Sequence, residues 1–339
     1  MRPITTLLLV LGEAAADREA QGRPGPELAP PPEEAAPRRV ARTAKTRHLI
    51  VVAGAGKCGT NALAYHVSAL VGFRPSRRDK QAQVKLNGFP GEVNYPNCSF
   101  GGGVKPAYEQ LLQRSKSRPG AGLDKSANYL GMPGCAAKLR RAYPAARVVA
   151  SICSVASRLW SRMNHVNRDR KSDDASDRSK SVDWPAHVVD VARAQLAKLD
   201  ERGWSLDSCR TGPATHVCKV LVTSRWHRQV SSFRDAFGAG FAVFLMEELL
   251  TLEGFEIRSR LATFLGAPAP KREGTAKHKV VHSNAAHKNY KKEKGHPRFA
   301  ELAALLEPVY ANDTRRLAAL LPDAPVDLWR RSVRPGKAS

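Results

Sequence analysis

The chain reads as a single α/β domain with a central, mostly parallel sheet flanked by helices. Three stretches predict this. Residues 48–53 are an apolar run after His48 that enters a glycine-rich turn and then a helical pattern. Residues 147–152 form a second apolar run, followed by helical spacing from Val155. Phe241–Met246 is a third, followed by an amphipathic segment from Glu247. Apolar run, turn and helix, repeated, is the pattern of parallel strands joined by crossover helices.

Taken in order, the chain opens with Met1-Arg2-Pro3, an apolar stretch Ile4–Leu11 and the small residues Ala14–Ala16. A positive start, a short apolar core and small residues suit a signal or leader segment over residues 1–16. The stretch is too short to span a bilayer, and no other segment is long and apolar enough. Residues 17–45, rich in Pro, Ala, Glu and Arg, read as a disordered linker. The folded domain is expected over 46–330, with a basic tail over 331–339. Its first strand covers 48–53 and its first helix 60–71. Residues 74–106, with Gly101-Gly102-Gly103 and several prolines, read as irregular. Short helices are expected over Tyr108–Arg114 and Pro133–Ala142. The strand at 147–152 leads to a helix over Val155–Asn167 and then a mixed-charge loop that reaches Asp183. Trp184–Asp200 returns to helix. Thr215–Phe233 is helical with a break near Thr223. Glu247–Leu265 reads as one long amphipathic helix. Residues 271–297 are basic and loop-like, Phe299–Leu321 reads as a helix pair, and Trp329 is expected to pack back on the body.

Composition bounds the partners. The 339 residues carry a formal net charge of +24 with 42% hydrophobic residues, enough for a real core and a strong bias toward anionic ligands. No nucleic-acid-binding module is recognisable and aromatics are not clustered, so nucleic acid is not expected as a partner. The six cysteines, Cys58, Cys98, Cys135, Cys153, Cys209 and Cys218, include no C-x-x-C pair, so no metal site is expected. Cys209 and Cys218 flank the turn signal Thr211-Gly212-Pro213. They suit either a disulfide in a secreted chain or two buried thiols.

The chemistry concentrates in Gly54-Ala55-Gly56-Lys57-Cys58-Gly59-Thr60-Asn61. Glycines let backbone amides approach an anion, the helix that follows aims its first N–H groups at the same point, and Lys57 and Thr60 add a charge and a hydroxyl. A Walker loop, G-x-x-x-x-G-K-[ST], fits poorly. Val51 stands at its first glycine and Cys58 at its Mg²⁺-binding hydroxyl. The strand ending in Cys153-Ser154 also lacks the acidic metal ligand of a nucleoside triphosphate enzyme.

A better fit is the pattern strand-x-x-x-K-x-G-T-x-x-L, matched by Lys57, Gly59, Thr60 and Leu63. It resembles the 5′-phosphosulfate loop of sulfotransferases that use 3′-phosphoadenosine 5′-phosphosulfate (PAPS). Arg158, Ser161 and His165 match the spacing of the family's 3′-phosphate segment, R-[DN]-P-x-x-R-x-x-S-x-x-x-H, whereas Cys153, Ser154 and Val155 replace its R-[DN]-P. A lost charge-assisted contact of that kind is worth roughly 1.5–3 kcal/mol. Asp124-Lys125-Ser126-Ala127-Asn128-Tyr129 resembles [DE]-K-[ST]-x-x-Y. Gly91-Glu92-Val93-Asn94-Tyr95 resembles the acidic segment of heparan-sulfate sulfotransferases, and Ala262–Gly266 the family's F-L-G ending. Lys292–Pro297 resembles a shortened donor-covering loop, and Glu307–Asp313 approximates a late helical element. The resemblance runs from about residue 46 to Trp329 and is nearest to the carbohydrate branch.

That resemblance implies a P-loop-like sulfotransferase fold and transfer of a sulfuryl group from PAPS, with PAP released and no metal required. It implies that Gly56, Lys57, Cys58, Gly59, Thr60, Asn61, Arg158, Ser161, Lys294 and Gly295 hold the donor. Glu92 would be the general base, with Lys57 on the leaving oxygen and Lys125 beside the acceptor; His66 and His165 are the alternative bases. An acidic or carbohydrate acceptor, a Golgi lumen location in the secretory pathway, and peripheral or leader-mediated membrane association complete the expectation. A non-catalytic relative that binds acidic glycans is the rival reading.

Overall fold

Four consecutive buried residues along β1, His48–Val52, show that the sheet is covered on both faces in the computed structural model. Leu49 and Val51 enter one hydrophobic cluster, whereas Ile50 and Val52 enter another on the opposite side. The structure describes residues 48–73, 98, 112–114, 121–173, 184–209, 215–270, 296–324 and 329. The leader, linker and basic tail, the segment around Glu92, and Lys294 and Gly295 lie outside the described residues.

After β1 come α1 (Thr60–Val71), β2 (Gln113–Arg114), β3 (Ala121–Lys125), α2 (Cys135–Ala142) and β4 (Arg147–Ile152). Then follow α3 (Val155–Asp173), α4 (Trp184–Arg202), α5 (Thr215–Val222), α6 (Trp226–Phe237) and β5 (Phe241–Leu245). The chain closes with α7 (Met246–Thr251), α8 (Gly254–Leu265) and α9 (Pro297–Leu320). The sheet order is β2-β3-β1-β4-β5. β3, β1, β4 and β5 run parallel, and β2 pairs antiparallel with β3. The chain passes from β1 to β3 on one side and then over to β4 on the other. The carboxyl ends of β1 and β4 therefore flank the switch point at which such sheets bind ligands.

One face of the sheet packs on α1 and α8 through Leu63, Val67, Ile257 and Leu261. The other packs on α2, α6 and the end of α9 through Leu139, Trp226, Phe233 and Leu317. A separate helical cluster joins α3, α4, α5 and the start of α9 around Leu159, Val189, Leu221 and Leu302. Trp329 is buried and donates from Nε1 to Glu247 Oε2 at 3.0 Å, which returns the C-terminal segment to the sheet as expected. Among the described residues no helix is long and apolar enough to cross a membrane.

Several expected elements differ. Gln113–Arg114, expected at the end of a helix, pairs instead with Gly122 and Leu123, so a ladder outweighs local propensity. β3 has no apolar run to announce it. α3 continues to Asp173 beyond the expected Asn167. The expected long helix 247–265 is two, because Leu252 and Glu253 are extended and Glu256 Oε2 caps the Glu253 amide at 3.1 Å. The expected helix pair is one helix that runs through Pro308. An internal proline costs about 3 kcal/mol. Burial of Phe299, Leu302 and Leu306 before it and Leu317 after it, in two different clusters, offsets that.

His66, one of the alternative bases, is 3% exposed in α1, and its Nδ1 makes no hydrogen bond. Burial, then the Arg258 charge, lowers its pKa to about 4. A lowered imidazole pKa contributes stability that is complete above the unfolded value of 6.5 and is lost as pH falls through 4. Unfolding titrations should show about 3 kcal/mol lost to this group over that range. His66→Leu should flatten that fall without lowering stability at neutral pH by a similar amount.

Candidate active site

The glycine-rich loop is an extension of the β1–β4 ladder before it becomes a turn. The Ala53 amide donates to Val149 O at 2.8 Å and the Ala55 amide to Ser151 O at 3.1 Å. The Cys58 amide then folds back onto Ala55 O at 3.1 Å. This tight turn requires left-handed backbone twice. Gly59 sits at φ 82° and Lys57 at φ 74°, and Lys57 is the one non-glycine residue with positive φ among the described residues. An L-residue pays about 1–2 kcal/mol for that conformation. Such strain is characteristic of sites where the side chain or its neighbouring amides have a task.

Close packing explains a third feature of the loop. A Cβ on Gly54 would stand 2.4 Å from Thr60 Oγ1 and 2.6 Å from Ser151 Oγ. Thr60 is buried, its hydroxyl donates to Ala55 O at 3.0 Å, and its oxygen lies 3.4 Å from Ser151 Oγ. In this state Thr60 braces the loop from within. α1 starts from Gly59 without a side-chain cap, so the orphan amides of its first turn face the loop's end of the crevice.

Lys125 arrives from the neighbouring strand. β3 carries Asp124 into the core, where it is fully buried. Its carboxylate accepts from Ser126 Oγ at 2.6 Å and Tyr129 OH at 2.8 Å, which satisfies a charge that would otherwise be costly. The fold of 124–129 is thereby set, and Lys125 Nζ donates to Asn61 Oδ1 at 2.6 Å. Two residues 64 positions apart, both expected at the site, meet beside the loop. Asn128 Oδ1 lies 3.9 Å from where a Gly56 Cβ would stand, which puts the turn after β3 against the same loop.

Arg158 occupies a different place from the one its motif implies. It is 8% exposed and lies behind the loop. Its Nε donates to Gly56 O at 3.3 Å. Its Nη1 donates to Thr223 O and Ser224 Oγ, both at 2.8 Å, and to Thr223 Oγ1 at 2.9 Å. The guanidinium lies 5.0 Å over the Trp226 ring. These acceptors come from the break between α5 and α6 near Thr223. Two of the three nitrogens are thus engaged with protein, whereas the motif implies a guanidinium on a donor phosphate. No carboxylate of the described residues pairs with it. Its pKa is lowered to about 10, chiefly by burial, against which Tyr310 raises it and neighbouring Arg162 lowers it. The site therefore holds a cation whose charge is uncompensated by any described carboxylate, a field that favours an anion in the loop.

The cysteines were the least legible part. Cys58 in the loop is bonded to Cys153 at the end of β4, with Cα atoms 5.2 Å apart. Cys98 is bonded to Cys135, and Cys209 to Cys218 as one of the two expected alternatives. Cys58, expected among the donor-binding residues, is instead fully buried and cross-linked. Cys153, at the position of the family's absent arginine, is its partner. The signal was present as two cysteines that each break a motif at the carboxyl end of a predicted strand. Only the adjacency of β1 and β4 makes them a pair. Ser154 accepts the Ser157 amide at 3.2 Å and so caps α3, a role that explains a serine there. Ser161 and His165 are half-buried on α3, one and two turns beyond Arg158. Glu92, Lys294 and Gly295 lie outside the described residues.

No protein-family model matches the sequence, and no curated protein does. Among solved structures the chain is similar to the crystal structure of a sulfotransferase from Alicyclobacillus acidocaldarius. The TM-score is 0.52, with 22% identity, over 83% of this chain and 98% of that one. The chain has the sulfotransferase fold. Within that fold, the loop of Lys57, the head of α1 and Lys125 gather at the sheet's switch point, the place at which open α/β sheets bind ligands.

Gly54→Ala tests the loop packing. The added methyl must displace Thr60 or Ser151, both held in the core. Overpacking of this kind costs about 1–3 kcal/mol, which denaturant unfolding would register as a lower midpoint with an unchanged slope.

Proposed function

We propose that the chain transfers a sulfuryl group from PAPS to a hydroxyl or amine of an acidic or carbohydrate acceptor and releases PAP. The observation that carries this reading is the strained loop with Lys57 in left-handed backbone. It stands beside Lys125 and the head of α1 at the switch point of a sulfotransferase fold. Loop amides and a helix N-terminus suit the 5′-phosphosulfate, and the buried Arg158 charge adds to the pull on a polyanion.

In this reading the donor's S–O bond breaks as the acceptor's oxygen or nitrogen bonds to sulfur. Lys57 neutralises charge on the leaving bridging oxygen. Lys125, oriented by Asn61, lies toward the acceptor. Glu92 takes the acceptor proton, and Lys294 and Gly295 cover the donor; these roles rest on the sequence resemblance. No metal enters the scheme. The net charge of +24 suits an acidic glycan. The three disulfides suit an oxidising compartment and so a place in the secretory pathway, with the Golgi lumen as our specific proposal.

A second reading draws on the β4 loop. With Cys153 in a disulfide and Arg158 turned inward, the described part of this loop presents neither guanidinium of the expected pattern. That favours a non-catalytic anion-binding relative. Calorimetry of PAP against the full chain, with ATP plus Mg²⁺ as the comparison, separates the readings. Tight PAP binding unmatched by ATP supports the donor site; heparin-type binding without PAP binding supports the second reading and overturns the first.

Lys57→Ala should weaken PAP binding by about 10- to 150-fold, the worth of a charge-assisted contact. Lys57→Gly should lose as much affinity yet melt no lower than the parent, because glycine relieves the positive φ. A drop in melting temperature with unchanged PAP affinity would show Lys57 to be a structural residue only.

A further inference from the structure

We infer that the Cys58–Cys153 disulfide and Arg158 are the two jaws of a clamp. The clamp holds the loop by its carbonyl side, so that both are positioning groups rather than ligands of the anion. The inference deepens the reading of this loop as the donor site and rests on it for its functional consequence.

The loop's hydrogen-bond ledger carries the argument. An anion-binding turn needs its amides outward, and its carbonyls must then find donors within the protein. Ala55 O is taken by the Cys58 amide and the Thr60 hydroxyl. Gly56 O is taken by Arg158 Nε. Lys57 O lies 3.9 Å from the Cys153 sulfur, which has no hydrogen to donate, so that contact is one of packing. The covalent bond secures the position immediately after Lys57, where the strained backbone would otherwise relax. Arg158 secures the position immediately before it. Trp226 fixes both jaws at once: its Nε1 donates to Cys153 O at 2.8 Å while its ring lies beneath the Arg158 guanidinium.

The clamp accounts for two departures from the sulfotransferase pattern together. The cysteine in the loop and the cysteine after β4 are one device, and the inward arginine is its second half. A cross-link over 95 residues also joins the carboxyl ends of β1 and β4, the two sides of the switch point. The loop pays its ordering entropy on folding, not on binding.

The test uses the full chain. Peptide mapping without reductant should recover Cys58 linked to Cys153; recovery of either as a free thiol overturns the inference whatever the variants do. The double variant Cys58→Ala/Cys153→Ala leaves the other two disulfides in place. Its amides at Ala55, bonded to Ser151 O of β4, and at position 58, bonded to Ala55 O within the loop, should exchange at least about tenfold faster. Val149 and Val52 in the adjoining strands should be unchanged. Its PAP affinity should fall about tenfold, the cost of re-ordering a loosened residue on binding. Cys209→Ala/Cys218→Ala, a cross-link in the helical cluster, should leave loop exchange and PAP affinity alone. Unchanged loop exchange in the first variant, or equal loosening in the second, overturns the clamp. Failure of the parent chain to bind PAP overturns the donor reading, whereas loop exchange still decides the clamp.

Discussion

Parallel pairing of β1 with β4 is the constraint on which the candidate site depends. It brings two turns, separated by 95 residues in sequence, to the same edge of the sheet and lets one cross-link join them. The β1 turn continues the ladder through Ala53 and Ala55 before it closes, so its start is as rigid as the sheet. Everything chemical about the loop follows from that anchoring. A free loop would not hold Lys57 in left-handed backbone against a cost of about 1–2 kcal/mol.

Electrostatics follow from the same geometry. Arg158 is drawn inward because the break between α5 and α6 leaves carbonyl and hydroxyl oxygens without helical donors, and because Gly56 O needs one as well. A guanidinium with its planar set of donors satisfies several of these oxygens from one point. A buried cation matched to neutral acceptors keeps its field, whereas one paired with a carboxylate would lose most of it. In contrast, Asp124 is buried beside the same crevice with its carboxylate fully engaged by Ser126 and Tyr129. The two buried charges do different work. Asp124 shapes the turn that delivers Lys125, and Arg158 shapes the loop while leaving the crevice positive.

Much of the scaffold was legible. β1, β4 and β5 are covered on both faces, and double burial writes itself as an apolar run. The helix from Thr60 and the break near Thr223 were legible for the same local reasons. β3 was not: its Gly122 and Asp124 are residues that strands usually avoid, acceptable here because Asp124 finds two side-chain donors from a turn that exists only once the strand is in place. The gap at Leu252–Glu253 was hidden because apolar spacing continues across it. At the site, Lys57, Asn61 and Lys125 were expected from motif spacing, and the structure joins Asn61 to Lys125 by a hydrogen bond at the head of the helix that follows the Lys57 turn. The direction in which Arg158 extends was not legible, since spacing sets which helical face a residue occupies but not which partner it meets.

The sequence by itself determined the strand–loop–helix units, their parallel arrangement and the glycine-rich loop that carries Lys57. These are local properties, set by runs of apolar residues, glycines and one lysine within a few positions of each other. Only the tertiary structure decided that Cys58 pairs with Cys153, that Arg158 supports the loop from behind and that Asp124 stays buried. Each of these depends on contacts between segments distant in the chain. Such contacts follow from strand order, and strand order is a consequence of how the whole core packs.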